Sequence, residues 1–238
     1  MFRNDDFEID TLSEQGHTTL SQYITKTFVT VAVGILITAL TAYFMSMDYL
    51  SLRMIYQNKN LPMLFMALQI GCLLLFRFRL FKASLLMTRL MFLIYSVLLG
   101  FTFSFVQYVF EIETVYLAFG IGFVYFVSLC VIGYTTRIDL MKYQTILLTG
   151  LFFLVGFNVL CLFIDISHAE QIACSCSLII FTLLTALDMK KLKHFYFEYQ
   201  EDEVRLAQLS MYSALQLYLD FLNLIYTITH ILNGFEKK

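Results

Sequence analysis

The chain has 238 residues, 59% of them hydrophobic and 14% charged, with a formal net charge of −2. A soluble domain carries about a quarter charged residues, so this composition excludes an ordinary water-soluble enzyme or binding module and points to the membrane class. The small net charge names no partner of its own; the lipid bilayer is the expected surrounding, and no nucleic acid is expected.

Residues 1–22 are polar and include Asp5, Asp6, Glu8, Asp10 and Glu14, an acidic tail expected to be mobile. The tail lacks the basic start, apolar middle and small-residue cleavage site of a signal peptide, so the first apolar stretch is expected to insert and stay. A span needs about 20 mostly apolar residues. Stretches of that kind fall near 26–46, 61–81, 86–109, 115–135, 145–164, 171–189 and 208–233. They predict an all-α integral membrane domain of seven transmembrane helices over residues 23–235. The connections are too short for a second, soluble domain.

Lys and Arg set the expected orientation. Arg3, Lys26, Arg77, Arg79, Lys82, Arg89, Arg137, Lys142, Lys190, Lys191, Lys193 and Arg205 fall on one side of a seven-span threading, which is 12 of the 16 basic residues. Arg53, Lys59, Lys237 and Lys238 fall on the other. The positive-inside rule places the N-terminus in the cytoplasm. Compact loops favour a plasma membrane, with an organellar membrane as the alternative.

Cys72, Cys130, Cys161, Cys174 and Cys176 all lie in the apolar stretches without zinc spacing and are expected to be small buried hydrophobes. His17, His168, His194 and His230 are scattered and form no ligand set. No cofactor is expected.

The seventh stretch differs from the rest. Ser213, Gln216, Asp220, Asn223 and Thr227 follow spacings of three and four and share one helix face. Unsatisfied polar groups in lipid cost several kcal/mol, so this stripe must face other helices or a water-filled cavity, and the helix should be largely enclosed. For Gln216, Asn223 and the hydroxyls, hydrogen bonding between helices is sufficient explanation. An Asp costs roughly 2.5 to 3.5 kcal/mol at bilayer depth, and a neutral Asn would bond as well, so Asp220 points to a task. Asp188, near the end of the sixth stretch, has two readings on composition alone: a functional acid, or an interfacial acid paired with Lys190, Lys191 or Lys193.

The segment SALQLYLDFLNLIYTI (213–228) resembles the C-terminal signature of the Bax inhibitor-1 family of transmembrane proteins, with its core at LYLDFLN (217–223). VGILITALTAYF (33–44), AFGIGFVYFVSLCVIGYTT (118–136) and SLIIFTLLTALDMKKLKHF (177–195) are similar to the first, fourth and sixth helices of its bacterial, YetJ-like branch, in the same order. The resemblance implies six helices wrapped around a central C-terminal seventh, and a calcium leak governed by pH. It implies that Asp188 and Asp220 form a hydrogen-bonded pair, and that Arg77 or Arg79 in LLLFRFRLFK (73–82) latches the closed form. Two departures stand out. Leu187 and Lys191 replace the usual Tyr and Gln around the sixth-helix acid, and a lysine within one turn favours the ionised carboxylate. No acid occurs between Asp48 and Glu111, so the second-helix acid of some relatives is missing and Gln69 is the nearest polar residue.

Two adjacent carboxylates in a low-dielectric site cannot both ionise cheaply, so such a pair shares one proton and titrates as a unit. Loss of that proton leaves two charges that repel each other and attract calcium, a hard ion that favours oxygen ligands. Calcium is thus expected as a transient ligand of Asp188 and Asp220 and as the transported ion. An intramembrane aspartyl protease also uses two acids on neighbouring helices. Here Leu187 and Leu219 precede the acids, no Gly-x-Gly stands before either, and the sole proline is Pro62, so an enzyme is not expected. A membrane-embedded regulator that restrains a partner, such as a membrane protease or a cell-death factor, is the alternative. Its contacts would lie in the acidic tail or in the charged connection Glu198–Arg205.

Overall fold

The computed structural model describes residues 18–47, 61–79, 84–161 and 169–236. Seven α-helices appear among them: α1 (Leu20–Met47), α2 (Leu61–Arg79), α3 (Leu85–Val109), α4 (Ile112–Thr135), α5 (Gln144–Cys161), α6 (Ala169–Tyr199) and α7 (Glu203–Glu236). A short 3-10 turn, Leu140–Tyr143, precedes α5. The all-helical class and the order of the elements agree with the sequence. The acidic residues of the tail, together with Arg53, Lys59, Lys82 and His168, lie outside the described residues.

Helix starts follow local side-chain chemistry. Thr19 Oγ1 accepts from the Gln22 amide while Gln22 Oε1 accepts from the Thr19 amide, a reciprocal capping box that opens α1. Ser84 Oγ accepts from the Met87 amide before α3, and Asp202 Oδ1 accepts from the Arg205 amide at 2.9 Å before α7. The first helix therefore begins at Leu20 and not near residue 26. In the same way, α6 runs on to Tyr199 past its apolar stretch. Its charged extension is good helix-forming sequence and carries the His194–Glu198 pair at 3.4 Å. The connection expected to be charged is mostly helix.

Among the described residues, five segments can cross a membrane by length and composition: Leu20–Met45, Leu85–Phe105, Ile112–Thr135, Leu140–Phe157 and Ile172–Tyr199. The other two of the seven expected spans, α2 and α7, are not among these five. In α2 the apolar sequence runs from Leu61 to Phe76, with Gln69 as its one polar side chain. In α7 the polar stripe lowers the hydropathy, and that helix has little need to be apolar toward lipid. From Leu206 to Thr229 its single exposed residue is Tyr226. The other helices carry large exposed apolar side chains, among them Leu36, Phe44, Phe78, Phe152 and Phe153. Only hydrocarbon makes such a surface stable.

Helix packing forms two compact units, residues 1–102 with 191–215 and residues 103–190 with 216–238. In the first, Thr38 Oγ1 donates to the carbonyls of Gly34 and Ser96, tying α1 to α3, and Gly100 lies against Thr41 and the Thr38 carbonyl. Gln69 Nε2 donates to the Leu98 carbonyl at 3.1 Å and also meets Thr102 Oγ1, tying α2 to α3. Thr27 joins α1 to the start of α7. Its hydroxyl donates to the Tyr23 carbonyl at 3.0 Å, so it accepts the proton of Ser210 Oγ, 2.8 Å away. Thr27→Val removes that acceptor from a buried hydroxyl and is expected to lower stability by about 1–2 kcal/mol. Adding Ser210→Ala should restore part of the loss, and thermal melts of the two single variants and the double variant in detergent measure the coupling.

In the second unit α4 is the common neighbour. Its buried residues are Thr114, Ala118, Gly122, Phe126, Leu129, Cys130 and Gly133, a stripe of mostly small side chains at spacings of three and four. Phe126 and Phe119 hold the Phe221 ring of α7, with centroids 5.2 and 5.6 Å away. Gly122 lies under Ile225. As numbering rises from Gly122 to Phe126 its partners on α7 fall from Ile225 to Phe221, so these helices are antiparallel. Toward α6, Tyr125 Oη bonds Thr182 Oγ1 at 2.8 Å, and Gly133 touches the Ala186 backbone. Those partners rise together, so α4 and α6 run parallel.

Candidate functional site

Asp188 and Asp220 are 4% and 5% exposed; Leu187 and Met189 beside the first are buried, as is Phe221 beside the second. Both belong to the second unit. A single turn of α4 relates them. Gly133 has no side chain, and a Cβ there would sit 2.4 Å from the Ala186 carbonyl oxygen, so α4 and α6 approach backbone to backbone two residues before Asp188. One turn earlier on α4, the Cys130 sulfur lies within electrostatic reach of Asp220. Asp220 adjoins Phe221, which α4 grips with Phe126. The Cys130–Gly133 turn therefore packs on the helix bearing one acid and lies in the field of the other.

The rest of α7's stripe distributes around Asp220. Thr227 and Ser213 are buried, and Gln216 and Asn223, about one turn on either side of the acid, are half-buried. Oδ2 of Asp220 is fully shielded from solvent. Ser213 lies in the first unit, and its buried hydroxyl, like that of Tyr23 on α1, makes no hydrogen bond among the described residues. Lys191, three residues after Asp188, is itself buried. On the other side, Lys190 Nζ donates to the Ile138 carbonyl and binds α6 to the segment after α4. Arg79 is exposed at the last turn of α2, and the side chain of Arg77 lies outside the described residues.

Sequence reasoning passed over Cys130 and Gly133. It placed Cys130 among the small hydrophobes and gave Gly133 no part. The available signal was the recurrence of small residues at Thr114, Ala118, Gly122, Cys130 and Gly133, which marks a face for close helix approach. The expectation that the cysteines are buried holds for Cys130 alone among the described side chains. Cys72 and Cys174 are half-buried and Cys176 is exposed, because an apolar span offers a thiol a lipid-facing side as readily as an inner one.

The chain is similar over most of its length to bacterial membrane proteins. It is 25% identical over 213 residues to the inner membrane protein YbhL of Escherichia coli K12, covering 89% of this chain and 91% of that protein. It is 29% identical over 233 residues to an uncharacterized membrane protein of Streptococcus pyogenes serotype M1, covering 95% and 97%. A protein of Borreliella burgdorferi is 29% identical over 204 residues, covering 86% and 88%. The family profile described as inhibitor of apoptosis-promoting Bax1 matches residues 20–237, from the first turn of α1 to the end of α7. With that match across nearly every described helix, the chain belongs to the Bax inhibitor-1 family.

Proposed function

We propose that this protein is a pH-sensitive, calcium-permeable leak channel whose gate is the pair Asp188 and Asp220. The observation that carries the reading is the burial of two carboxylates on α6 and α7 around one turn of α4. Acids at that depth are expensive and belong to ion or proton pathways. The proposal takes α7 as the family's central helix, which its burial from Leu206 to Thr229 supports.

With one proton shared, the pair joins α6 to α7 and the pathway is shut. When the proton leaves, two negative charges repel each other and draw a divalent cation. Calcium needs six to eight oxygens, more than two carboxylates supply. Gln216 and Asn223 offer amide oxygens on the same face of α7, and water completes the shell. So incomplete a ligand set favours passage over retention. Similarity to a bacterial inner membrane protein supports a bacterial plasma membrane, and the Lys and Arg distribution supports an N-terminus in the cytoplasm.

Calcium entry into dye-loaded proteoliposomes across a pH series tests this. Entry should depend on the protein and rise as pH climbs through the titration of the pair. Vesicles with protein no leakier than empty ones would dismiss the channel. Flux independent of pH would dismiss the gate.

A further inference from the structure

The first unit holds a cavity of about 490 Å³ with a charged end and an apolar wall. Its charged end lies where three helices begin: Lys26 in the second turn of α1, Arg89 early in α3, and Glu203 at the start of α7. Lys26 and Arg89 are both exposed. Among the described residues, neither is joined to a carboxylate. Two cations face one acid, so the end carries a positive excess. The first-turn amides here are partly taken by Thr19, Ser84 and Asp202, which leaves the two cations as the main partners for an anion.

Away from that end the wall is hydrocarbon. Val29 and Val33 continue along α1, and Phe92 and Leu93 along α3. From Lys26 to Val33, α1 rises about 10 Å. Val29 and Val33 are 56% and 41% exposed, so the wall opens sideways where a bilayer would be. A small hydrophilic anion satisfies the cations but leaves this wall wet. A zwitterionic lipid covers the wall, but its own ammonium group already balances its phosphate and is repelled by the two cations. One molecule satisfies both.

We infer that the cavity is a binding site for an anionic phospholipid, with its phosphate on Lys26 and Arg89 and the start of an acyl chain along Val29, Val33 and Leu93. The site is separate from the aspartate pair and does not rest on the channel reading.

The test compares phosphatidylglycerol with phosphatidylcholine of the same chains, binding to purified full-length protein in detergent, read by native mass spectrometry. Wild type should prefer phosphatidylglycerol by about thirtyfold, as a headgroup of net negative charge against two cations implies. Lys26→Gln with Arg89→Gln should bring the two lipids level. Arg137→Gln with Lys142→Gln, which removes exposed charge elsewhere, should keep the preference. Inorganic phosphate should fail to displace the lipid. Both altered pairs are exposed and should leave the melting temperature unchanged. No preference in wild type, an undiminished preference without Lys26 and Arg89, or displacement by inorganic phosphate would each overturn the site. A preference that appears only after removal of residues 1–17 would assign the cavity to that acidic segment and overturn it equally.

Discussion

Asp188→Asn and Asp220→Asn are each expected to remove the pH response of calcium flux while leaving the helical fold in place. The substitution keeps the size of the side chain and its capacity for hydrogen bonding. Under the proposed mechanism, it removes the exchange between one shared proton and two negative charges. Two unit charges about 4 Å apart repel by about 4 kcal/mol at the effective dielectric of a protein, close to a thousandfold in an open-to-shut ratio. A single remaining carboxylate has no such repulsion to release. Flux in either variant should therefore be nearly flat with pH. Its level should rise or fall according to whether the amide opens or holds the contact between α6 and α7. Flux measured in vesicles, beside melting curves of the same preparations, separates gating from folding. Unchanged flux with an unchanged pH profile in both variants would remove the aspartate pair from the mechanism.

Gly133→Ala is expected to have the largest effect of any single methyl group added to the second unit. Its Cβ would lie 2.4 Å from the Ala186 carbonyl oxygen and 2.9 Å from the Ala186 Cα. Those are backbone atoms of a packed helix, so no side chain can swing aside and α4 must separate from α6. Overpacking of this kind costs about 1–3 kcal/mol, sometimes more. Replacing glycine within a helix returns up to about 1 kcal/mol through backbone entropy, too little to offset a backbone clash. Gly120→Ala, on the same helix with nothing within 4 Å, is the matched control and should be neutral or slightly stabilising. A melting temperature for Gly133→Ala lower by about 2–12 °C than that of Gly120→Ala is the expected reading, at roughly 2–4 °C per kcal/mol. Equal melting temperatures would mean that the close approach at Ala186 is not a feature of the folded protein. Because that approach sits two residues before Asp188, the same variant should also disturb the flux.

Composition and local pattern carried much of this molecule. The membrane class, the order of seven helices, the polar stripe of α7 and the two acids within apolar sequence are all readable without coordinates. Each depends on relations within about four residues, or on the cost of a charge in hydrocarbon. Helix ends were less legible at α1, α6 and α7, where hydropathy stops at the first charges but capping and helix propensity carry the backbone further. Packing partners were not legible at all. In a soluble helix the buried face is the apolar one, whereas in α4 the sides toward lipid and protein are both apolar. Hydrophobic periodicity therefore does not reveal that Gly133 meets Ala186 or that Cys130 lies in the field of Asp220. The same reason hid the cavity, since Lys26 and Arg89 stand on separate helices and only folding brings them to one wall. Covalent order determines which groups the bilayer will tolerate, while contact between distant turns determines which of them act on one another.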